Sequence, residues 1–204
     1  LEFGENGTYV ECGVFQGKML LNVAQFLKNE NFNFNLIGVD SFDGFPDNTI
    51  GHKFDQPSYF TTLFEQKKIS KDHYLKAVER TNDLKYENHL TNDYFKNVSD
   101  LFENVKQFSN IKLIKTKFSD IKKEDFNEIS ILFIDCDLYQ SYLQVLDSLY
   151  DKVMNNGVII FDEYYSLKYP GALVAVNEFF LNKKGTFEKY ITSEGFERWA
   201  FIKN

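Results

Sequence analysis

The chain has 204 residues, enough to form one domain with a sizeable hydrophobic core. With 43% hydrophobic, 17% aromatic and 26% charged residues, its composition is that of a globular protein and excludes a disordered one. The net charge of -7 argues against nucleic-acid binding through a basic face, and no apolar run approaches the roughly 20 residues that cross a membrane. Two cysteines, Cys12 and Cys136, are too few for a disulfide framework or a cysteine zinc site, so we expect a cytoplasmic protein.

Strand-like and helix-like segments alternate along most of the chain. Five short apolar runs are typical of buried strands, at residues 8–12, 35–39, 111–115, 129–134 and 157–161. Amphipathic stretches of helical length lie between most of them, at residues 17–29, 97–108 and 141–154. This alternation predicts an α/β fold built on a mostly parallel, doubly wound sheet.

Two segments depart from that alternation. Residues 187–192 and 196–202 are rich in β-forming residues and flank a turn at 193–195, which predicts an antiparallel hairpin at the C-terminal end of the sheet. The interval from Asp40 to Ile111 is far too long for a simple crossover. We therefore predict an inserted helical segment, residues 44–96, which either folds over a ligand as a lid or only stabilises the domain.

The insert carries the histidines of the chain, His52, His73 and His89. An imidazole in a lid could act as a base or contact a sugar, because its pKa lies near neutrality. The alternative for each of them is a surface position with no chemical role.

A glycine-containing turn follows the first predicted strand. The stretch ECGVFQG, residues 11–17, runs directly into a helix, and its glycines let the backbone approach a ligand closely. The spacing lacks the second glycine of the nicotinamide fingerprint GxGxxG. An acid at this edge would repel a pyrophosphate but suits the positively charged end of S-adenosylmethionine. The candidate cofactor contacts here are Glu11, Gly13, Val14 and Gly17; the alternative is an ordinary tight turn.

Polar residues also follow the second and third predicted strands. Asp40 and Ser41 end the second strand, where an acid commonly accepts hydrogen bonds from ribose hydroxyls in doubly wound folds. Ser119 and Asp120 follow the third strand and could contact an adenine edge, although a solvated turn explains them equally well.

Four acids follow the fourth and fifth predicted strands. They are Asp135 and Asp137, then Asp162 and Glu163. Because ligands of open α/β sheets bind beyond the carboxyl ends of the strands, these acids should converge beside the cofactor turn. Like charges are costly to bury together unless a cation neutralises them, and carboxylate oxygens suit Mg²⁺. Helix caps or exposed turn acids are the alternative.

Several of these stretches together resemble one family. They are ECGVFQG at 11–17, DSFDGFP at 40–46, IDCDLYQS at 134–141 and GVIIFDEY at 157–164, followed by a helix that starts with Gly171-Ala172. In this order they resemble the macrocin O-methyltransferase family, the sugar methyltransferases of macrolide and aminocoumarin biosynthesis. The resemblance covers most of the chain.

The resemblance implies a class I, Rossmann-like methyltransferase that uses S-adenosylmethionine and Mg²⁺, or another divalent cation, to methylate a hydroxyl of a sugar or glycosylated small molecule. Carried over by position, Asp135, Asp162 and Glu163 would hold the metal, Asp135 would also border the cofactor, and Asp137 would be the general base. The family commonly has a second aspartate where this chain has Glu163, which changes the reach of that ligand by one methylene. The insert matches the family poorly, so the acceptor is not carried over.

Two other function classes stay open on the sequence. A nicotinamide-dependent oxidoreductase would share the fold. A non-catalytic methyltransferase-like domain of a larger protein would fit a chain that begins at Leu1, with neither an initiating methionine nor the pattern of a secretion signal. The expected partner is a small-molecule or glycan acceptor, with no nucleic acid and no membrane, and self-association is left open.

Overall fold

The computed structural model describes residues 6–45, 51–83, 92–193 and 196–204. Within these ranges seven strands form one sheet: β1 (Asn6–Cys12), β2 (Asn33–Asp40), β3 (Ile111–Lys115), β4 (Ile129–Ile134), β5 (Val153–Phe161), β6 (Gly185–Ile191) and β7 (Glu197–Lys203). The helices are α1 (Lys18–Asn29), α2 (Tyr59–Glu65), α3 (Lys71–Asp83), α4 (Asn92–Asn104), α5 (Tyr139–Leu149) and α6 (Gly171–Phe180). None of the described helices is long and apolar enough to cross a membrane.

The strand order is β3-β2-β1-β4-β5-β7-β6. The first five strands of this order are parallel, and β7 pairs antiparallel with both β5 and β6. The mostly parallel sheet with a C-terminal antiparallel pair is therefore confirmed. Because the order reverses between β1 and β4, a crevice for a ligand is expected at the carboxyl ends of these two strands.

Helices cover both faces of the sheet. Because successive strand residues point to opposite faces, neighbouring residues of one strand pack against different helices. Val10 and Leu132 belong to the core cluster that includes α5 and α6, whereas Tyr9 and Phe133 belong to the cluster of α1 and α4. A strand that is buried on both faces has a continuous apolar sequence, which explains why the run at residues 129–134 predicted a strand correctly.

The described part of the insert is mostly helical. After the short 3₁₀ helix Lys53–Asp55 come α2 and α3, which pack around Phe60 and Leu63 and contact Leu173 of α6. His73 is buried: its Nε2 lies 2.7 Å from the Ser166 carbonyl oxygen and its ring stacks on Tyr165. Burial lowers the pKa of His73, which suits a neutral imidazole that docks the insert.

Several predicted boundaries differ from the observed ones. The predicted helix 141–154 ends as α5 at Leu149, and Met154 already belongs to β5. The register of β4 with β5 shifts between Ile129 and Ile131, which lets β5 begin before the apolar run at 157. His89, between α3 and α4, lies outside the described residues, as do the predicted turn residues Glu194 and Gly195.

Candidate active site

A cavity of about 240 Å³ lies at the reversal of strand order. It is bounded by residues at the carboxyl ends of four strands: Gly13 and Phe15 after β1; Asp40, the last residue of β2, with Ser41, Gly44 and Phe45 after it; Thr116, Lys117 and Phe118 after β3; and Asp135, Cys136, Asp137 and Ser141 after β4. Its wall combines three phenylalanines with three carboxylates. This combination suits a ligand with a flat apolar ring and a polar or cationic end.

The β1–α1 turn needs glycine at Gly13. Its φ is 92°, and a Cβ there would overlap the backbone carbonyl of Asp135. The turn can therefore approach the end of β4 only without a side chain. Gly17 has a φ of 74°, but a Cβ there would meet the Leu101 side chain of α4, so this glycine serves helix packing and does not line the cavity.

Asp40 joins the loops that follow β1 and β2. Its Oδ2 accepts hydrogen bonds from the backbone amides of Val14 and Phe15 at 2.8 and 2.9 Å, and its Oδ1 accepts one from Phe42 at 2.8 Å. Val14 itself is buried and takes part through its amide. A carboxylate offers about four acceptor positions, so Asp40 keeps capacity for one hydroxyl. Ser41 donates to the carbonyl of Gly44 at 3.1 Å and shapes the same rim.

Glu11 lies beneath the cavity and is not among its lining residues. It is 1% exposed, and Tyr9 donates its hydroxyl to Oε2 at 2.8 Å. Burial raises the pKa of Glu11 to about 8, and the charges of Asp135 and Asp40 act in the same direction. Glu11 therefore lies under the β1–α1 turn and does not face the cavity.

The residues after β3 that line the cavity differ from the predicted pair. Ser119 and Asp120 lie in a 3₁₀ helix, where the Ser119 hydroxyl donates to Asp120 Oδ1 at 2.9 Å, and both lie outside the cavity lining. Thr116, Lys117 and Phe118 occupy that side instead. The sequence signal for these residues was present, because they follow β3 directly, just as Ser41 follows β2.

Three of the four predicted acids meet where β4 and β5 end. Asp135, Asp162 and Glu163 each place a carboxylate oxygen within 4.8 Å of the others. Burial raises the pKa of Asp135 to about 6, with Asp162 as the next cause, and burial also raises the pKa of Glu163. Oxygens at this spacing in a partly buried, like-charged group fit a hard divalent cation. We refer to these three residues as the acid cluster.

Two side chains that the sequence analysis missed hold this cluster. Arg198, on β7, places Nη2 3.3 Å from Asp162 Oδ1 and donates from Nη1 to the Asp162 carbonyl at 3.2 Å. The buried hydroxyl of Tyr142 lies 2.6 Å from Glu163 Oε2 and accepts a hydrogen bond from the Glu163 amide at 3.2 Å. Both contacts restrict the orientation of the acids.

Asp137 lines the cavity, and its backbone contacts the acid cluster. Its φ is 59°, an uncommon value for a residue other than glycine, and its amide donates to Glu163 Oε2 at 3.3 Å. Burial and the neighbouring Asp135 raise the pKa of Asp137 to about 7, while Lys168 opposes the shift. A carboxylate with a pKa near neutrality at the edge of a cavity has the property required of a general base.

The profile of the family described as macrocin-O-methyltransferase (TylF) matches residues 81–189, just over half of the chain. The matched segment includes Asp135, Asp137, Asp162 and Glu163. The chain belongs to the macrocin-O-methyltransferase family. Membership makes it an O-methyltransferase, which confirms the family prediction and decides against a nicotinamide-dependent oxidoreductase.

Solved structures with the same fold include other methyltransferases. The O-methyltransferase NovP is 20% identical, with a TM-score of 0.58 over 97% of this chain and 72% of NovP. The calicheamicin methyltransferase CalS11 is 18% identical, with a TM-score of 0.57 over 97% of this chain and 72% of CalS11. A methyltransferase of Podospora anserina, PaMTH1, bound to S-adenosylhomocysteine, is 10% identical, with a TM-score of 0.53 over 97% and 72%. These likenesses establish the Rossmann-like methyltransferase fold. No curated protein sequence matches the chain significantly.

Proposed function

We propose that this member of the macrocin-O-methyltransferase family transfers a methyl group from S-adenosylmethionine to a hydroxyl of a sugar or glycosylated small molecule, with Mg²⁺ held by the acid cluster. The observation that carries the proposal is the position of Asp135. It lines the cavity and belongs to the acid cluster, so a ligand in the cavity and a cation on the cluster would be neighbours.

The cavity offers a place for the methyl donor. Asp40 keeps acceptor capacity for a ribose hydroxyl, and Gly13 brings the β1–α1 turn close to the ligand. Phe15, Phe45 and Phe118 supply apolar surface for an adenine ring. Asp135 supplies negative charge for a sulfonium or ammonium group. Glu11 adds to this negative potential from beneath the turn, to the extent that it is ionised.

The acid cluster is the proposed cation site. Asp135, Asp162 and Glu163 would each donate one oxygen, and Glu163 reaches the cluster although it is longer than the aspartate common in the family. When bound, Mg²⁺ would neutralise these carboxylates and lower the pKa of an acceptor hydroxyl. Arg198 and Tyr142 would keep two of the ligands in orientation.

Asp137 is the proposed general base. As the acceptor oxygen bonds to the methyl carbon and the carbon–sulfur bond breaks, the hydroxyl proton passes to the Asp137 carboxylate and S-adenosylhomocysteine leaves. A general base contributes about 10² to 10⁴ in rate. The backbone bond from the Asp137 amide to Glu163 would fix this carboxylate relative to the acid cluster.

A sugar acceptor is supported by the related structures and by the insert. CalS11 is a TDP-rhamnose 3'-O-methyltransferase, 18% identical and with a TM-score of 0.55 in its apo structure. In this chain the described part of the insert brings His52 and Phe54 against Tyr139, at the start of α5 beside the acids. Aromatic rings beside carboxylates are a surface that suits a sugar. We propose that this insert is the lid of a single domain.

Calorimetric titration with S-adenosylmethionine and S-adenosylhomocysteine, with and without MgCl₂, tests the proposal. We expect both nucleotides to bind and Asp40→Ala to weaken binding by about tenfold or more, as for loss of a charged hydrogen bond. Asp43→Ala is the matched control, because Asp43 is exposed and pairs with Lys115 outside the cavity. Absence of binding to the wild-type protein would overturn the proposal.

A further inference from the structure

Asp55, in the insert, is a buried acid that the proposed chemistry does not use. It is 3% exposed, and its Oδ1 accepts a hydrogen bond from the backbone amide of Tyr139 at 2.8 Å. Tyr139 is the first residue of α5, and Gly171, the first residue of α6, lies so close that a Cβ there would overlap Oδ1. One carboxylate of the insert therefore sits between the N-termini of two helices.

Asp55 replaces a cap that α5 does not provide for itself. The N-cap position of α5 is Leu138, which has no side-chain oxygen, and α6 likewise has Pro170 without a side-chain cap. The first amides of a helix need acceptors, and a negative charge is favourable at this end. Asp55 supplies the acceptor for α5 from a position 84 residues away in sequence.

The other oxygen of Asp55 is left without a partner. Oδ2 is fully buried and has no hydrogen-bond partner among the described residues. Burial raises the pKa of Asp55 to about 6, and the bond from Tyr139 opposes that shift. A buried carboxylate with one unpartnered oxygen lowers the stability of the fold. This cost indicates that Asp55 has a role other than stabilising the fold.

The other role of Asp55 concerns the short segment that precedes Tyr139. We call residues 135–138 the acid turn, because it carries Asp135 and Asp137. Its first amide, that of Asp135, is held by the carbonyl of Cys12 at 2.8 Å, and its far end is held by the bond from Tyr139 to Asp55. The His52 ring stacks on the Tyr139 ring with 4.6 Å between centroids, so the segment of the insert that carries Asp55 also covers the end of the acid turn.

We propose that Asp55 is a positioning residue: by capping α5 from the insert, it holds the acid turn in the geometry that the acid cluster and Asp137 require. The inference rests on the proposed function, because the value of this geometry is the cation site and the base. It makes docking of the insert a condition for an ordered cation site. Asp55 itself contacts neither the cation nor the acceptor.

Two pairs of variants isolate the hydrogen bond. Asp55→Ala removes the acceptor, whereas Asp55→Asn keeps an amide oxygen that can accept from Tyr139. Tyr139→Pro removes the donor at the first helical position, where proline is tolerated, and Leu138 before it is extended, as proline requires. Tyr139→Ala removes the same ring and keeps the amide. Asp72→Ala is the control for an insert acid, because Asp72 is exposed and pairs with Lys76.

The readouts are Mn²⁺ affinity by electron paramagnetic resonance, metal-free affinity for S-adenosylhomocysteine, and hydrogen exchange at the start of α5. We expect Asp55→Ala and Tyr139→Pro to weaken Mn²⁺ binding by about tenfold or more, the usual effect of losing an outer partner of a metal site. Asp55→Asn, Tyr139→Ala and Asp72→Ala should stay near wild type. In Asp55→Ala and Tyr139→Pro the nucleotide affinity should fall by less than the Mn²⁺ affinity, because Asp135 of the acid turn also lines the cavity.

Wild-type Mn²⁺ affinity in folded Asp55→Ala and Tyr139→Pro would overturn the proposal. Equal losses in Asp55→Asn and Asp55→Ala would also overturn it, since charge alone would then be responsible. Failure of the proposed function is distinguishable, because the wild-type protein would then bind neither Mn²⁺ nor the nucleotide. The capping bond would still be tested by hydrogen exchange, which Asp55→Ala, but not Asp55→Asn, should accelerate at Tyr139.

Discussion

Replacing Glu11 by glutamine tests how a buried acid beneath the β1–α1 turn affects stability. Glu11 is 1% exposed and its pKa is raised from 4.5 to about 8, mainly by burial. The folded protein therefore keeps a proton that the unfolded chain releases between these two values. Because the folded pKa is the higher one, Glu11 makes the protein less stable as the pH rises from about 4.5 to 8.

The magnitude follows from the pKa difference. For a group that titrates near 4.5 unfolded and near 8 folded, raising the pH from about 5 to 8 costs about 3 kcal/mol of unfolding free energy. Glutamine has no such titration and can still accept the bond from Tyr9. The free energy of unfolding of Glu11→Gln relative to wild type should therefore increase by about 3 kcal/mol over that interval.

Urea denaturation of both proteins at pH 5 and pH 8, in EDTA, measures this difference. A constant offset between the two curves would refute the reasoning, because Glu11 would then have an ordinary pKa in the folded state. S-Adenosylhomocysteine titration of Glu11→Gln adds a functional readout. Affinity within a few-fold of wild type is expected for a residue outside the cavity lining, and loss of binding would mean that Glu11 reaches the ligand.

Three further outcomes are expected. Asp137→Asn should lower turnover by about 10² to 10⁴ and leave nucleotide affinity intact, measured on a panel of nucleotide sugars; retained turnover would remove Asp137 as the base. Asp162→Ala should weaken Mg²⁺ dependence more than nucleotide affinity, and an unchanged metal titration would contradict its role as a ligand. Gly13→Ala should destabilise the protein by at least about 2 kcal/mol more than Gly51→Ala in urea. Gly51 has nearly the same φ, 91° against 92°, but no atom of the described residues lies within 4 Å of a Cβ built there, so equal losses would count against the overlap with Asp135.

The sheet and the strand ends could be predicted because the signal for them is local. Buried parallel strands are continuous apolar runs, and functional side chains follow their carboxyl ends. Asp40 and Asp135 were assigned to the cavity on this basis, and both line it. The position of a residue at a strand end predicts which part of the fold its side chain lies in, but not the direction in which the side chain points. Glu11 precedes the end of β1 by one residue and therefore lies within the sheet, buried, below the cavity.

The contacts that orient the acids depend on register, which a single sequence does not reveal. Phe161 pairs with Trp199 in the antiparallel ladder of β5 with β7, so Arg198 falls beside Asp162 one step further along. A shift of one residue in that hairpin would move the guanidinium to the other face of the sheet. The contact of Arg198 with the acid cluster could therefore not be predicted from the sequence, although the hairpin itself was predicted.

Asp55 shows the same limit over a longer distance. It lies in a polar insert with many acids, and no periodicity or motif separates it from its neighbours in sequence. Its importance comes from α5, whose first residues offer amides without a local cap. The missing cap at Leu138 was visible in the sequence, immediately after the acid turn. A helix that begins beside proposed catalytic acids without its own cap is therefore a reason to search the rest of the chain for the acceptor, and here that acceptor ties the insert to the site.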